Sequence, residues 1–262
     1  MNIEQLIVRS PCADLSCARF GKGRPLLLAH PVVFSKSYFA AAAETWGARF
    51  DCVALDQRGH GDTESDGPIE PGAMAADLGA VLDHLGWERA AIGGTSLGAG
   101  TALRFAVERP ERVDILVQDL PGFGPGSSRD PARTERMAGA FQRADLEEAA
   151  HLATEGMSAP RARAWTEALQ ADWRHYDPAR LGPKLARAMR STAGWRILER
   201  WPEDLSRVTA PVRILAVEGD PVHPMAVART MLRVLPDARL VPRVLSLSPE
   251  AIARQWIEVL ES

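Results

Sequence analysis

The sequence predicts an α/β fold in which helices flank both faces of a mainly parallel sheet. Short continuous apolar runs, which are typical of strands buried on both faces, occur at residues 25–30, 52–56, 113–118 and 212–217. Segments with apolar residues at helical spacing lie between these runs, and the clearest contains Met74, Leu78, Val81, Leu82 and Leu85. This alternation predicts the fold class, because neighbouring parallel strands need a crossover connection that is usually a helix.

Flanking segments complete the predicted order of elements. Residues 3–20 alternate loosely between apolar and polar side chains, which favours an N-terminal antiparallel hairpin. A helix is expected at residues 37–48, after the first buried strand. The C-terminal region is expected to contain a helix at 224–235, a strand at 239–247 and a last helix that begins at Ser248 and Pro249.

One stretch carries a recognisable chemical motif. A strand-like segment at residues 90–92 leads into Gly94-Thr95-Ser96-Leu97-Gly98, and a helix-like segment follows. The pattern G-x-S-x-G between a strand and a helix predicts a nucleophile elbow, a sharp turn that exposes the serine hydroxyl. Residues two before and two after Ser96 must then be very small, and the Leu97 backbone N–H would point towards an oxyanion. A chance match is the alternative, since the pattern fixes only a few positions.

Composition narrows the class of protein. The chain has 262 residues, of which 46% are hydrophobic and 25% charged, as expected for one soluble globular domain. The formal net charge of −3 gives no electrostatic reason to expect binding to nucleic acid or to a membrane surface. No apolar run approaches the ~20 residues of a transmembrane helix, and the N-terminus lacks a signal-peptide pattern. Three cysteines, an odd and low number, favour a reducing compartment, so we expect a cytoplasmic protein.

The alternation of strands and helices stops between residues 121 and 206. Helical segments are expected there at residues 130–157, 160–175 and 183–200, separated by Pro160, Pro178 and Pro183. We interpret residues 121–206 as a helical cap inserted into a core formed by residues 1–120 and 207–262. The insertion carries four tryptophans, Trp165, Trp173, Trp195 and Trp201. These side chains either shape an apolar substrate pocket or form the small core of the cap itself. The candidate pocket residues are Trp165, Trp173 and Trp195.

Four segments resemble a single family. They are His30-Pro31-Val32, Asp56-Gln57-Arg58-Gly59-His60-Gly61, the Ser96 motif and Gly219-Asp220-Pro221-Val222-His223-Pro224. Together they resemble the α/β-hydrolase superfamily over nearly the whole chain, in particular its small esterases, enol-lactonases and cofactor-free haloperoxidases. The resemblance implies an α/β-hydrolase fold and an enzyme that acts at a carbonyl, ester or lactone group of a small molecule, with neither a cofactor nor a metal ion. It indicates neither the particular substrate nor the oligomeric state.

The resemblance also implies roles for individual residues. Ser96 would be the nucleophile and Asp220 the acid of a catalytic triad, although a helix N-cap is the alternative for Asp220. The Leu97 amide would be one oxyanion-hole donor. The family usually has His-Gly where this chain has His30-Pro31, and since proline lacks an N–H, the second donor would be Val32. We expect His30 to brace this loop beside the substrate pocket.

The chain departs from the family near its C-terminus. The family carries a histidine several residues before a Pro-Glu pair that opens the last helix. Here Pro249-Glu250 is present, but residues 240–248 contain no histidine, and the last histidine of the sequence is His223. A serine without a base remains protonated and is a poor nucleophile, and loss of a triad member costs about 10⁴- to 10⁶-fold in rate.

Three hypotheses follow from this departure. In the first, the protein is a hydrolase in which His223, three residues after Asp220, is a displaced base. In the second, Asp220 is the base of a non-hydrolytic enzyme of the cyclase, epimerase, lyase or decarboxylase type that reuses the oxyanion hole. In the third, the protein is a pseudoenzyme that binds a small ligand beneath the cap. Because the last loop offers no base, the sequence predicts weak or absent turnover of simple esters.

Overall fold

The structure is a computed structural model that describes residues 2–124, 130–192, 194–220, 222–244 and 248–262. Its strands are β1 (Ile3–Ser10), β2 (Ala13–Gly21), β3 (Arg24–Ala29), β4 (Phe50–Leu55), β5 (Glu64–Ser65), β6 (Ala90–Thr95), β7 (Val113–Asp119), β8 (Val212–Ala216) and β9 (Ala238–Pro242). They form one sheet in the order β1-β2-β4-β3-β6-β7-β8-β9, and the short β5 pairs with β2.

Helices occupy most of the connections between strands. They are α1 (Ser37–Ala40), α2 (Ala43–Trp46), α3 (Pro71–His84), α4 (Leu97–Glu108), α5 (Pro131–Gln142), α6 (Leu146–Thr154), α7 (Ala159–Trp173), α8 (Pro178–Thr192), α9 (Met225–Val234) and α10 (Pro249–Glu261). Short 3₁₀ helices occur at Pro110–Arg112 and Glu203–Arg207. In the part of the chain that the structure describes, no helix is both long enough and apolar enough to cross a membrane.

The sheet is parallel except at its N-terminal edge. Strands β1 and β2 form the predicted antiparallel hairpin, and β2 also pairs antiparallel with β4. From β4 to β9 every pair of neighbours is parallel. The predicted α/β fold with a mainly parallel sheet is therefore confirmed. Because parallel strands end at the same edge, the loops that follow β3, β6, β7 and β8 are brought together there.

Apolar helix faces cover the sheet on both sides. Helices α3, α4 and α9 contribute to the cluster on one face. Helices α1, α2 and α10 cover the other face with Phe39, Trp46 and Trp256, whose rings meet edge to face. A Cβ atom on Gly93 of β6 would lie 2.5 Å from the Trp256 ring, so the absence of a side chain there lets the indole pack directly on the central strand.

Four helices of the described chain, α5 to α8, lie between β7 and β8 and form a helical insertion, residues 131–192. Their apolar faces share one cluster with Val33 and Phe34 from the loop after β3. The insertion therefore packs against the carboxyl edge of the sheet, where the shared direction of the parallel strands brings the loops together. The division into core and cap at residues 121 and 206 stays a prediction.

The insertion corrects two details of the predicted helices. The expected segment 130–157 is interrupted at Ala144, which has a φ of +57°, and the Asp145 side chain then caps α6 by accepting from the Glu148 amide. Neither Ala144 nor Asp145 is a strong helix breaker, so the residue types at this position did not indicate the interruption. Pro183 was expected to separate two helices, but it lies inside α8.

Two further boundaries differ from the prediction. The expected helix at 37–48 consists of the short helices α1 and α2, because the backbone at Ala42 leaves the helical region with φ −109° and ψ 27°. The expected strand at 239–247 is shorter, since β9 ends at Pro242. Residues 245–247 of that prediction lie outside the described residues.

Asp172 of α7 is a buried carboxylate between the insertion and the loop after β3. It accepts hydrogen bonds from Ser35 Oγ at 2.8 Å and from the Ser37 hydroxyl. Burial raises the pKa of this carboxyl to about 6, although the two hydroxyl hydrogen bonds act to lower it. Since the folded-state pKa lies above the ordinary value, the folded protein binds the Asp172 proton more tightly than the unfolded chain, and stability falls as the pH rises through about 6.

We therefore expect Asp172→Asn to stabilise the protein near pH 8 by about 2 kcal/mol and to have little effect near pH 4. The amide removes the buried charge, and its oxygen still accepts from the two serines. Urea unfolding across this pH range measures the difference from the wild type. Asp66→Asn, at an exposed carboxylate, is the control and should show no such trend. A stabilisation by Asp172→Asn that does not change with pH would contradict this explanation.

Candidate active site

Strand β6 ends in a tight turn that places Ser96 directly before α4. Ser96 has a φ of +53°, a strained conformation for a residue other than glycine. A Cβ atom on Gly94 would collide with the Gly98 backbone, and a Cβ atom on Gly98 would collide with the carbonyl oxygen of Ala29. Both glycines are therefore required by sterics, and the G-x-S-x-G motif forms the strand–turn–helix corner that the sequence predicts.

The loop after β8 carries both Asp220 and His223. Asp220 Oδ1 accepts hydrogen bonds from the backbone N–H of Val222 at 2.8 Å and from that of His223 at 3.0 Å. These are the contacts of an Asx turn, in which a carboxylate holds the backbone that follows it. Because of this turn, the His223 side chain starts beside the carboxylate, and its Nδ1 lies 3.3 Å from Asp220 Oδ2.

The His223 imidazole also reaches Ser96. Its Nε2 lies 2.9 Å from Ser96 Oγ. An ionised carboxylate only accepts hydrogen bonds, so Nδ1 carries the proton that Asp220 accepts, and Nε2 is left to accept the Ser96 hydroxyl. The ring rests on Gly122, where a Cβ atom would lie 2.8 Å from His223 Cδ2. Carboxylate, imidazole and hydroxyl are therefore joined in one hydrogen-bonded series.

A second partner binds the same oxygen of Asp220. Arg161 of α7 donates from Nη2 to Asp220 Oδ2 at 2.6 Å. Burial acts to raise the pKa of the Asp220 carboxyl. The hydrogen bond from His223, the attraction of that imidazole when it is protonated and the hydrogen bond from Arg161 outweigh burial and hold that pKa well below its usual range. Asp220 is therefore ionised at any pH near neutrality.

The loop after β3 faces the same region. Val32 lines the cavity beside Ser96, and the next residue, Val33, has a φ of +64°, which is strained for a β-branched side chain. Trp173 of the insertion donates from Nε1 to the Val33 carbonyl oxygen at 2.7 Å. Leu97 is the first residue of α4, so its N–H has no acceptor within the helix. The backbone groups predicted to bind an oxyanion thus belong to two constrained segments.

Arg243 directly follows β9, in the segment before Pro249 where the resemblance implies a histidine and this chain has none. Its Nε donates to Asp119 Oδ1 at 2.6 Å, and both side chains are buried. Thr95 Oγ1 donates to the other carboxylate oxygen of Asp119 at 2.9 Å, and the Asp119 carbonyl accepts from the Ser96 N–H at 2.9 Å. Arginine stays protonated and cannot act as a base. This buried ion pair therefore supports the turn at Ser96 without replacing the missing histidine.

A cavity of about 470 Å³ opens beside Ser96, between the sheet edge and the insertion. Ser96, Asp220 and His223 all contribute to its lining. Its walls combine apolar side chains with charged ones, namely Asp130, Arg133, Arg136, Glu155 and Arg161. A cavity of this size suits a small molecule.

The structure corrects the expected pocket position of His30. Its Nε2 accepts from the Gln57 N–H at 3.0 Å, so Nδ1 carries a proton and donates to the Pro31 carbonyl oxygen at 2.8 Å. Burial lowers the pKa of His30 to about 4, which keeps the ring neutral. His30 is fully buried and lies outside the cavity lining, because its ring braces the loop backbone instead.

The three tryptophans predicted to line the substrate pocket lie in three different environments. Trp165 lines the cavity beside Ser96, as expected. Trp173 does not, because it is 2% exposed and packs in the cluster of the insertion. Trp195 is also placed elsewhere, since it packs against the cluster around α4 and borders a different cavity. The pocket assignments of Trp173 and Trp195 are therefore corrected.

Sequence reasoning missed two residues of this site. Arg161 stands in an insertion rich in arginine, so its type alone did not distinguish it. Gly122 follows β7, and nothing in the sequence indicates that an imidazole from another loop packs on it. Both roles depend on contacts between segments that are far apart in the chain.

Residues 25–241 match the model of a protein family that is described as the alpha/beta hydrolase fold. This match covers most of the chain, so the protein belongs to the α/β-hydrolase fold family.

Two curated relatives and one solved structure illustrate the likeness. N-formylmaleamate deformylase of Pseudomonas putida is 32% identical over 171 residues, which cover 61% of this chain and 60% of the length of the relative. The putative carbamate hydrolase RutD of Escherichia coli O127:H6 is 29% identical over 222 residues, which cover 78% of this chain and 77% of that protein. The enol-lactonase of Burkholderia xenovorans LB400 has a TM-score of 0.77 at 17% identity, over 99% of this chain and 100% of that one. At such low identity the structural likeness shows the fold alone.

The positions of the tryptophans lead to a stability prediction. Trp173→Ala should lower the free energy of unfolding by about 3–5 kcal/mol, because it removes a buried indole and leaves a cavity. Trp165→Ala should cost clearly less, since Trp165 is only partly buried beside the cavity. Urea unfolding of both variants measures the difference, and a larger loss for Trp165→Ala would be inconsistent with these positions.

Proposed function

We propose that the protein is a serine hydrolase that cleaves an ester, lactone or amide bond of a small molecule. Ser96 is the nucleophile, His223 is the base, and Asp220 is the acid that orients the base. The observation that carries the proposal is the pair of contacts made by His223, 3.3 Å from Nδ1 to Asp220 and 2.9 Å from Nε2 to Ser96. Nucleophilic catalysis by serine needs these three groups within hydrogen-bond reach in this order.

The proposed reaction begins with attack of Ser96 Oγ on the substrate carbonyl carbon. His223 Nε2 accepts the hydroxyl proton, and the Asp220 carboxylate stabilises the imidazolium that forms. The backbone N–H groups of Leu97 and Val32 stabilise the negative charge on the carbonyl oxygen. The leaving alcohol or amine takes the proton from His223, and an acyl group remains on Ser96. Water then attacks this acyl group with His223 as base, which releases the acid and restores Ser96.

The charge distribution argues against Asp220 as the base of a non-hydrolytic reaction. Its two oxygens accept from four donors, the N–H groups of Val222 and His223, the His223 ring and Arg161. A carboxylate whose pKa is held below its usual range is a weak base. We therefore favour the displaced base over the other two hypotheses. This proposal replaces the expectation of weak ester turnover, which assumed that Ser96 has no base.

The names of similar proteins also support a small substrate with an electrophilic carbonyl. The relatives are named as a deformylase and a carbamate hydrolase, and a structural neighbour as an enol-lactonase. We also propose that the helical insertion acts as a cap over Ser96, with Trp165 as an apolar wall. The cytoplasmic location stays a prediction.

We expect the protein to hydrolyse p-nitrophenyl acetate. Ser96→Ala and His223→Ala should each lower kcat by about 10⁴- to 10⁶-fold, and the double variant should be no slower than either, because residues that act as one unit are non-additive. Asp220→Asn should cost about 10⁴-fold, since the amide favours the wrong imidazole tautomer. Release of p-nitrophenolate measures all of these rates.

His84→Ala is the matched control, because His84 is exposed at the end of α3. It should retain the wild-type rate, and thermal melting should show that all variants are folded. Efficient hydrolysis by a folded His223→Ala variant would disprove the role of His223. Undiminished hydrolysis by Ser96→Ala would disprove the role of Ser96.

A further inference from the structure

Arg161 differs from the other cations of the cavity in what its guanidinium contacts. Arg136 forms an ion pair with Glu155 at 2.7 Å. Arg133 donates to two backbone carbonyls at the end of α6. Within the described residues, the Arg161 guanidinium donates only to Asp220, through Nη2. Arg136 also makes a single hydrogen bond, but its partner Glu155 is itself 46% exposed. Arg161 is distinguished by its partner, because the buried Asp220 holds it beside His223 and Ser96.

The available donors of Arg161 border the cavity. A guanidinium has five N–H donors in a planar fork, so the contact with Asp220 leaves most of them for another acceptor. The Arg161 side chain is 30% exposed, whereas the Asp220 side chain that it contacts is 0% exposed. Since Arg161 and Ser96 line the same cavity, an anion bound to Arg161 would lie in the same space as the reacting carbonyl.

We propose that Arg161 binds a carboxylate of the substrate, and that the enzyme therefore prefers esters or amides that carry a free carboxylate. This inference rests on the proposed hydrolase function. The planar fork matches the two oxygens of a carboxylate, and charge-assisted bidentate contacts are both stronger and more directional than neutral ones. Arg161 is then a specificity-determining residue.

The charge of Asp220 does not prevent this binding. Asp220 Oδ1 is held by two backbone N–H groups, and Oδ2 by His223 and Arg161. Its carboxylate is thus compensated from several sides, and one guanidinium has edges for two carboxylates. The imidazolium that forms at His223 during the reaction is balanced by the oxyanion that forms on the substrate, so this step leaves the net charge of the site unchanged.

The test uses matched pairs of substrates. Monomethyl succinate, monomethyl glutarate and monomethyl adipate present a carboxylate at three distances from the ester. Each is compared with the methyl ester in which the free carboxylate is replaced by a neutral carboxamide of the same shape. Methanol release gives kcat and KM for each compound. The quantity that tests the inference is the ratio of kcat/KM for the acid to that for the amide in each pair.

The wild type should favour the acid of at least one pair by about tenfold or more, and Arg161→Gln should lower that ratio by about 10- to 100-fold, the range expected for a charge-assisted contact. Arg161→Lys, which keeps the charge but not the fork, should give an intermediate ratio. Arg163→Gln makes the same charge change at an exposed site of α7 and should leave the ratio unchanged. A ratio that Arg161→Gln does not alter would overturn the inference, even where both rates fall together.

The same pairs are titrated into the Ser96→Ala protein and into Ser96→Ala/Arg161→Gln by calorimetry. Tighter binding of the acid, lost in the second protein, supports the carboxylate site independently of turnover. Equal affinity for acid and amide in both proteins overturns it. Absence of methanol release from every ester in the wild type would count against the proposed hydrolase function, so the two failures are distinguishable.

Discussion

The hydrogen bond between His223 Nε2 and Ser96 Oγ is the interaction on which the proposed chemistry depends. It joins two loops that follow β6 and β8, which are separated in the sheet by β7. The imidazole therefore has to reach across the end of β7, and Gly122 provides the space for it. The Asx turn of Asp220 supplies the other constraint, because it fixes the backbone from which the His223 side chain starts. The proposed acid and the proposed base thus lie on the same loop.

In the proposed mechanism the loop after β9 does not need to carry a base. Arg243, the first residue of that loop, is buried and pairs with Asp119. A buried ion pair is costly to break, since removal of one partner leaves an uncompensated charge. Thr95 and the Ser96 N–H bind the same aspartate, so the pair is connected to the turn that strains Ser96. We interpret Arg243 as a structural support beneath the proposed nucleophile.

The sequence was informative wherever the structure depends on neighbouring residues. Strand runs, the hairpin and the Ser96 turn follow from hydrophobic periodicity and from the need for glycine at tight contacts. The sequence could name His223 as a candidate but could not fix the direction of its ring, which depends on Gly122 in another loop. The environment of each tryptophan could not be predicted either. Trp165 and Trp173 both belong to α7, yet Trp165 lines the cavity and Trp173 packs in the core of the insertion. The role of Arg161 was not predicted, because its partner Asp220 lies on a loop far away in the sequence.

Reaction with a fluorophosphonate tests the central claim most directly, because the reagent is attacked by an activated serine and requires no knowledge of the substrate. Mass spectrometry of the labelled peptide identifies the site, and the rate of labelling reports the reactivity of Ser96. We predict labelling of the wild type at Ser96 and a rate lower by about 10⁴-fold or more in a folded His223→Ala variant. Equal labelling rates in the two proteins, or no label at Ser96 in the wild type, would contradict the assignment of His223 as the base of Ser96.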